Sequence, residues 1–128
     1  MRREEGEFLR ERAEKFFEVG KRLLEEGVID LAAFHFHQAS ELILKYALFR
    51  ITGDYPRTHS IRRLLKLLSK STGDEGIMEF LRENINSLSN LENAYMTSRY
   101  LPAEFYREEV MSMMDVTLSI FELVRRYV

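Results

Sequence analysis

The stretch from Asp30 to Arg50, DLAAFHFHQASELILKYALFR, holds neither glycine nor proline. It is long enough for about six helical turns. Leu31, Ala32, Phe34, Ala39, Leu42, Ile43, Tyr46, Ala47 and Phe49 point in nearly every direction around such a helix. An apolar surface that wraps a helix demands burial on most sides, so the rest of the chain must pack around this segment. One narrow polar strip is left: Asp30, His37, Glu41 and Lys45 share a side, with Gln38 at its edge. A ribbon of ionisable groups on a central helix either lines a cleft or pairs with neighbouring elements.

Four further segments show helical periodicity, and strand signals are nearly absent. The first helix runs from about Arg3 to Glu26, with Leu9, Ala13, Phe16, Gly20, Leu23 and Leu24 inward, and Gly27 ends it. Asp30 is placed to cap the second helix, which stops at Thr52-Gly53. GDYPRTH, Gly53 to His59, opposes helix and reads as a turn. Ser60 caps a short third helix with Ile61, Leu64, Leu65 and Leu68 inward, and a loop is expected from Ser69 to Gly76. A fourth helix is expected from about Ile77 to Ser98, with Ile77, Phe80, Leu81, Ile85, Leu88, Leu91 and Tyr95 buried. Within it, Asn84, Asn86, Ser87, Ser89, Asn90 and Asn93 form a polar, uncharged run of poor helix formers, either a face that meets another helix or RNA or a locally weak helix.

Pro102 marks the start of a fifth helix, Ala103 to Tyr127. Tyr106, Val110, Met113, Met114, Thr117, Phe121 and Val124 form its expected inner face. Met111, Val116, Leu118 and Leu123 add apolar surface elsewhere on it, which either broadens the core face or invites self-association. The expected architecture is all-α: one domain over residues 1–128, an up-and-down bundle of four long helices plus one short helix.

A chain of 128 residues can bury a core without disulfides or structural metal. It has no cysteine, hence no disulfide framework and no thiol nucleophile. The net charge of -2, with acids and bases interspersed, gives no global pull toward DNA or an anionic membrane. The charged N-terminus lacks an apolar signal core, and no apolar run approaches the ~20 residues that span a bilayer, so a cytoplasmic location is expected. Gln38 is the only glutamine amid plentiful Glu, Lys and Arg, a composition that heat-adapted proteins share.

Several chemistries are excluded. Neither GxGxxG nor GxxxxGK[ST] occurs. Di-iron bundles use inward Glu-x-x-His pairs, but the positions three before His35, His37 and His59 are Ala32, Phe34 and Pro56. His35 and His37 stand about 200° apart around a helix and cannot share a metal. His37 and Glu41 could, yet two ligands are too few. No metal and no cofactor is expected.

Three pieces in order carry a resemblance. They are Asp30-Leu31-Ala32 followed by Gln38-Ala39-x-Glu41-x-x-x-Lys45, then Pro56-Arg57-Thr58-His59-Ser60 feeding a Leu-rich helix, then Tyr95-x-x-Ser98-Arg99-Tyr100 before a proline and a long last helix. In that order and spacing the chain resembles the HEPN domain (higher eukaryotes and prokaryotes nucleotide-binding) over nearly its whole length. The resemblance implies a small all-α bundle of the nucleotidyltransferase substrate-binding-subunit type that forms a homodimer. Stand-alone prokaryotic members are often paired with a minimal nucleotidyltransferase in toxin–antitoxin-like modules, and other members are metal-independent ribonucleases. Those ribonucleases carry Arg-x4-6-His near the start of the last helix. Arg99 matches the arginine, but Tyr100-Leu101-Pro102-Ala103-Glu104-Phe105-Tyr106 follows, and no histidine occurs after His59. The usual proton acceptor is missing, and Tyr106 is a poor substitute because tyrosine titrates near ~10.

The implied function is binding of a nucleotide or RNA phosphate by Arg99, His59, His37, Gln38, Glu41, Lys45, Tyr95 and Tyr100. Arg99 offers a planar fork for phosphate, or it is a helix-end arginine bonded to carbonyls or to Glu41. His59 sits where a helix start offers N–H groups to an anion, and it is a candidate acid/base alongside Arg99; it could equally brace the turn. Arg57, Arg62, Arg63, Lys66 and Lys70 have no acid among them and form either a docking patch for RNA or an acidic partner, or a solvated helix face. The alternatives are a metal-independent endoribonuclease using His59 or His37, and a ligand-free interaction module.

Overall fold

The computed structural model describes the backbone of residues 2–100 and 104–128, and the side chains of residues 6–97 and 104–128. Among them the chain forms helices and no strand. The elements are α1 (Arg2–Glu25), α2 (Ile29–Thr52), α3 (Ile61–Thr72), α4 (Gly76–Glu83), α5 (Ile85–Tyr100) and α6 (Arg107–Arg125).

Helix α2 is the axis of the bundle, in contact with α1, α3, α5 and α6. Most of its apolar circumference is accordingly buried, from Ala32, Ala33 and Phe36 to Leu48 and Phe49, while Leu31 stays exposed at its start. The α1–α2 packing is close because Gly20 has no side chain. A Cβ there would lie 2.9 Å from the Phe36 ring and 3.1 Å from the His35 Cβ. Where α2 crosses α6, Ser40 donates its hydroxyl to the Phe36 carbonyl at 2.9 Å and approaches the Thr117 hydroxyl at 3.0 Å. Thr117 in turn donates to the Met113 carbonyl at 2.7 Å, so these buried hydroxyls are satisfied.

The helix ends follow local chemistry. Gly53 takes a left-handed φ of 86° after α2 and returns its N–H to the Phe49 carbonyl. Ser60 caps α3 by accepting from the Arg63 N–H at 3.2 Å. Asp30 does not cap α2, contrary to expectation: the cap position is Val28, and Asp30 lies in the first helical turn. A carboxylate there still meets the positive helix end, and it also accepts from the Phe105 N–H at 3.4 Å.

Three helix boundaries differ from those expected from the sequence. Helix α3 continues through Thr72, because the Thr72 hydroxyl bonds back to the Leu68 carbonyl at 2.8 Å and Gly73, at φ 73°, is the residue that ends it. The single helix expected over 77–98 is two helices, broken at Asn84. Asn84 sits at φ -115°, ψ 24°, and its amide donates to the Phe80 carbonyl at 2.9 Å. An asparagine side chain that competes for the backbone ends the helical ladder there. Helix α6 starts at Arg107 rather than 103, with Tyr106 extended and its N–H held by the Glu109 carboxylate at 2.9 Å. Outside the helix, Tyr106 is 74% exposed instead of inward. Val116 and Leu123 join the core, while Met111 and Leu118 stay at the surface. At the other end of α6, the Tyr127 hydroxyl bonds the Asp74 carboxylate and ties the chain's tail to the α3–α4 turn.

Candidate functional site

His37, Glu41 and Lys45 occupy successive turns on one side of α2, as their spacing requires. They do not line an open cleft by themselves: all three are buried. The loop between α2 and α3 folds over them, and α5 closes the side. Glu41 stands at the crossing point. One oxygen accepts from the Lys45 ammonium at 2.8 Å, and the other accepts from His59 Nδ1–H at 3.0 Å. A buried carboxylate is tolerable only with such partners. Lys45 also lies 5.9 Å from the Tyr55 ring.

His37 uses both ring nitrogens. Its Nε2–H donates to the His59 carbonyl at 2.9 Å, which leaves Nδ1 to accept from the Gln38 amide at 3.2 Å. Burial holds its pKa below the ordinary imidazole value, opposed by the bond to His59 and by the charges of Glu41 and Glu92. It is thus a neutral brace that fixes the backbone of the very residue whose ring Glu41 orients.

Tyr95, from α5, stands between the two histidines. Its ring centroid is 4.6 Å from that of His59 in a stacked arrangement and 4.8 Å from that of His37. Phe34 also lies near-parallel to the Tyr95 ring, with centroids 6.4 Å apart. The side chain of His59 nonetheless remains 57% exposed. Its Nδ1 edge is engaged, so Nε2 is the edge turned outward, and no described residue bonds it. A histidine held by a carboxylate at one nitrogen can accept a proton, or bond an oxyanion, at the other.

The sequence-expected residues therefore divide. His37, Gln38, Glu41, Lys45, His59 and Tyr95 come together in one network. Arg99 and Tyr100 lie in the last turn of α5, one turn beyond Tyr95, and their side chains fall outside the described residues. Of the basic cluster, Arg57, Arg63, Lys66 and Lys70 are exposed. Arg62 departs from the expected outer face: it is half-buried, and its guanidinium bonds the Ser89 hydroxyl of α5.

The start of α3 is not an open anion seat, contrary to the expectation for His59. Glu92, from α5, accepts from the Arg62 N–H and from the Ser60 hydroxyl, both at 3.0 Å. The protein's own carboxylate occupies the positive helix end. Glu92 and Phe34 were not among the residues expected here. Glu92 had one legible signal, as the lone charged residue between Ile85 and Thr97. His35 lies away from this network, half-buried beside Phe16, with Nδ1–H donated to the Leu31 carbonyl at 2.7 Å. Among the described residues no three His, Asp or Glu side chains converge as a metal set, and no helix is long and apolar enough to cross a membrane.

Compared with curated proteins, the sequence finds no match. The family model of the HEPN domain matches residues 7–127, which takes in every element of the bundle and the whole of this polar network. The chain therefore belongs to the HEPN domain family, whose members have nucleotide- or RNA-related roles.

Proposed function

We propose that this protein binds the phosphate of a nucleotide or an RNA at the His59 face of the network, with Arg99 as the principal phosphate ligand. The observation that carries this reading is the His59 ring: it is exposed, yet anchored on the buried Glu41 and stacked on Tyr95, one helical turn from Arg99. A side chain fixed on its inner edge and open on its outer edge is preorganised to meet a ligand. His37, bonded by the Gln38 amide, holds the loop backbone behind it, and Lys45 keeps Glu41 in place. Tyr100 closes the same end of α5.

The protein acts in this reading as a homodimer, together with a separate minimal nucleotidyltransferase in a toxin–antitoxin-like pair. Leu31 at 49% and Met96 at 56% exposure lie on α2 and α5, the two helices that carry the site, and favour an interface there. The exposed Arg57, Arg63, Lys66 and Lys70 supply a surface for RNA or an acidic partner.

A ligand that binds only the native state raises the melting temperature, so nucleotide titration followed by thermal shift tests the reading. A rise lost in Arg99→Ala supports it; no rise with any nucleotide or with RNA overturns it. Light scattering tests the dimer, which Met96→Asp would weaken.

The Glu41–His59 pair favours a second reading, a metal-independent endoribonuclease. His59 Nε2 would take the ribose 2′-hydroxyl proton as that oxygen attacks the adjoining phosphorus, and the 5′-oxygen would leave with a proton from water. Cleavage of labelled RNA without metal, lost in His59→Ala, would establish it.

A further inference from the structure

Three near-parallel rings come from α2, α5 and the α2–α3 loop. Phe34 and Tyr95 are 6.4 Å apart with an interplanar angle of 18°, and Tyr95 and His59 are 4.6 Å apart at 22°. The ladder begins on a half-buried phenylalanine and ends on a ring whose side chain is 57% exposed. Tyr95 covers one face of His59, and Glu41 engages its Nδ1 edge. Among the described residues no ring covers the second face of His59 and none bonds its Nε2 edge.

The terminal ring cannot easily turn away. Its carbonyl is held by His37 and its Nδ1 by Glu41, and the next residue, Ser60, is bound to Glu92. A fixed aromatic face costs little ordering when a planar ligand lands on it. Every nucleobase has such a face, and stacking on an aromatic side chain depends little on which base is bound.

We infer that the open face of His59 is a nucleobase platform: the base of a nucleotide or of single-stranded RNA stacks there as the fourth ring of the Phe34–Tyr95–His59 ladder. The inference rests on the nucleotide-binding reading above and adds that the base, as well as the phosphate, contributes to affinity. Because the contact is a face and not a hydrogen-bonded edge, purines exceed pyrimidines modestly, and no single base is selected.

Calorimetric titration of the full chain with adenosine 5′-monophosphate, uridine 5′-monophosphate, ribose 5-phosphate and inorganic phosphate tests this. The nucleotides are expected to bind at least about fivefold more tightly than ribose 5-phosphate, the adenosine form the tighter of the two. His59→Ala removes that advantage and brings the nucleotides down to ribose 5-phosphate. His59→Phe keeps a ring but cannot donate to Glu41; it is expected to retain most of the advantage, which a purely structural histidine would not. Circular dichroism confirms that both variants are folded. Equal binding of ribose 5-phosphate and nucleotide overturns the platform while leaving phosphate binding in place. Loss of the advantage in folded His59→Phe as well as in His59→Ala also overturns it, since the nitrogen and not the face would then be the contact. Failure of all four compounds to bind overturns both this inference and the reading beneath it.

Discussion

His59 and Glu41 meet at 3.0 Å although one is mostly in solvent and the other almost wholly out of it. The imidazole joins the buried carboxylate to the surface. On its other side it holds Lys45 at 2.8 Å, so an ion pair with little access to water underlies the exposed ring.

Removing one member of a buried pair strands the other. Lys45→Met is expected to destabilise the fold by about 3 kcal/mol, and Glu41→Leu by a similar amount. The double variant should lose clearly less than the sum, because no uncompensated charge remains. Urea unfolding of the three variants and the parent checks this; simple additivity would show that the pair is not coupled.

Acid should weaken the fold through His37. Its folded pKa is depressed by burial, while the unfolded chain titrates near the ordinary ~6.5. Between those values the unfolded state binds more protons, so stability falls as pH drops from about 7 through the depressed value, by up to ~1.4 kcal/mol per pH unit. His37→Gln should flatten this slope. Urea midpoints measured between pH 7.5 and 5 test it, and an unchanged slope in the variant would refute it.

Gly20→Ala places a methyl group 2.9 Å from the Phe36 ring and 3.1 Å from the His35 Cβ. Overpacking costs about 1–3 kcal/mol, and alanine's better helix propensity returns about 1 kcal/mol. A net loss of about 1 kcal/mol is expected by thermal melting. A neutral or stabilised variant would mean that α1 and α2 can spread at no cost.

The Tyr127 hydroxyl, with the Gly76 N–H, holds the Asp74 carboxyl below the ordinary carboxylate range. A depressed acid contributes stability above about pH 4 and loses it as pH falls through the folded value. Tyr127→Phe should raise the Asp74 titration midpoint, read by NMR. An unmoved midpoint would show that the hydroxyl is not its partner.

The centre of the fold was legible because an apolar circumference admits few placements for α2, and glycines at 27 and 53 mark where helices stop. The break at Asn84 was legible only as a run of poor helix formers, not as a position. The apolar stripe runs through it unbroken, while the backbone angles of Asn84 and its side-chain bond to Phe80 mark the interruption. Likewise Pro102 pointed to an early start for the last helix, whereas Glu109 selects Tyr106 as the cap.

For the site, spacing alone put His37, Glu41 and Lys45 on one side of α2. That they are buried depends on the loop that carries His59, and nothing in a periodicity reports a loop's path. Glu92 illustrates the same limit: its role spans thirty positions of sequence, through contacts to Ser60 and Arg62.

That acidic side chain also sets a rule of admission. Glu92 fills the electropositive mouth of α3 with a resident negative group, so the Arg62 N–H and the Ser60 hydroxyl there already have an acceptor. In the proposed reading a visiting phosphoryl group docks elsewhere, beside the imidazole rim. Exchanging Glu92 for a neutral isostere would relocate ligands, not merely weaken them.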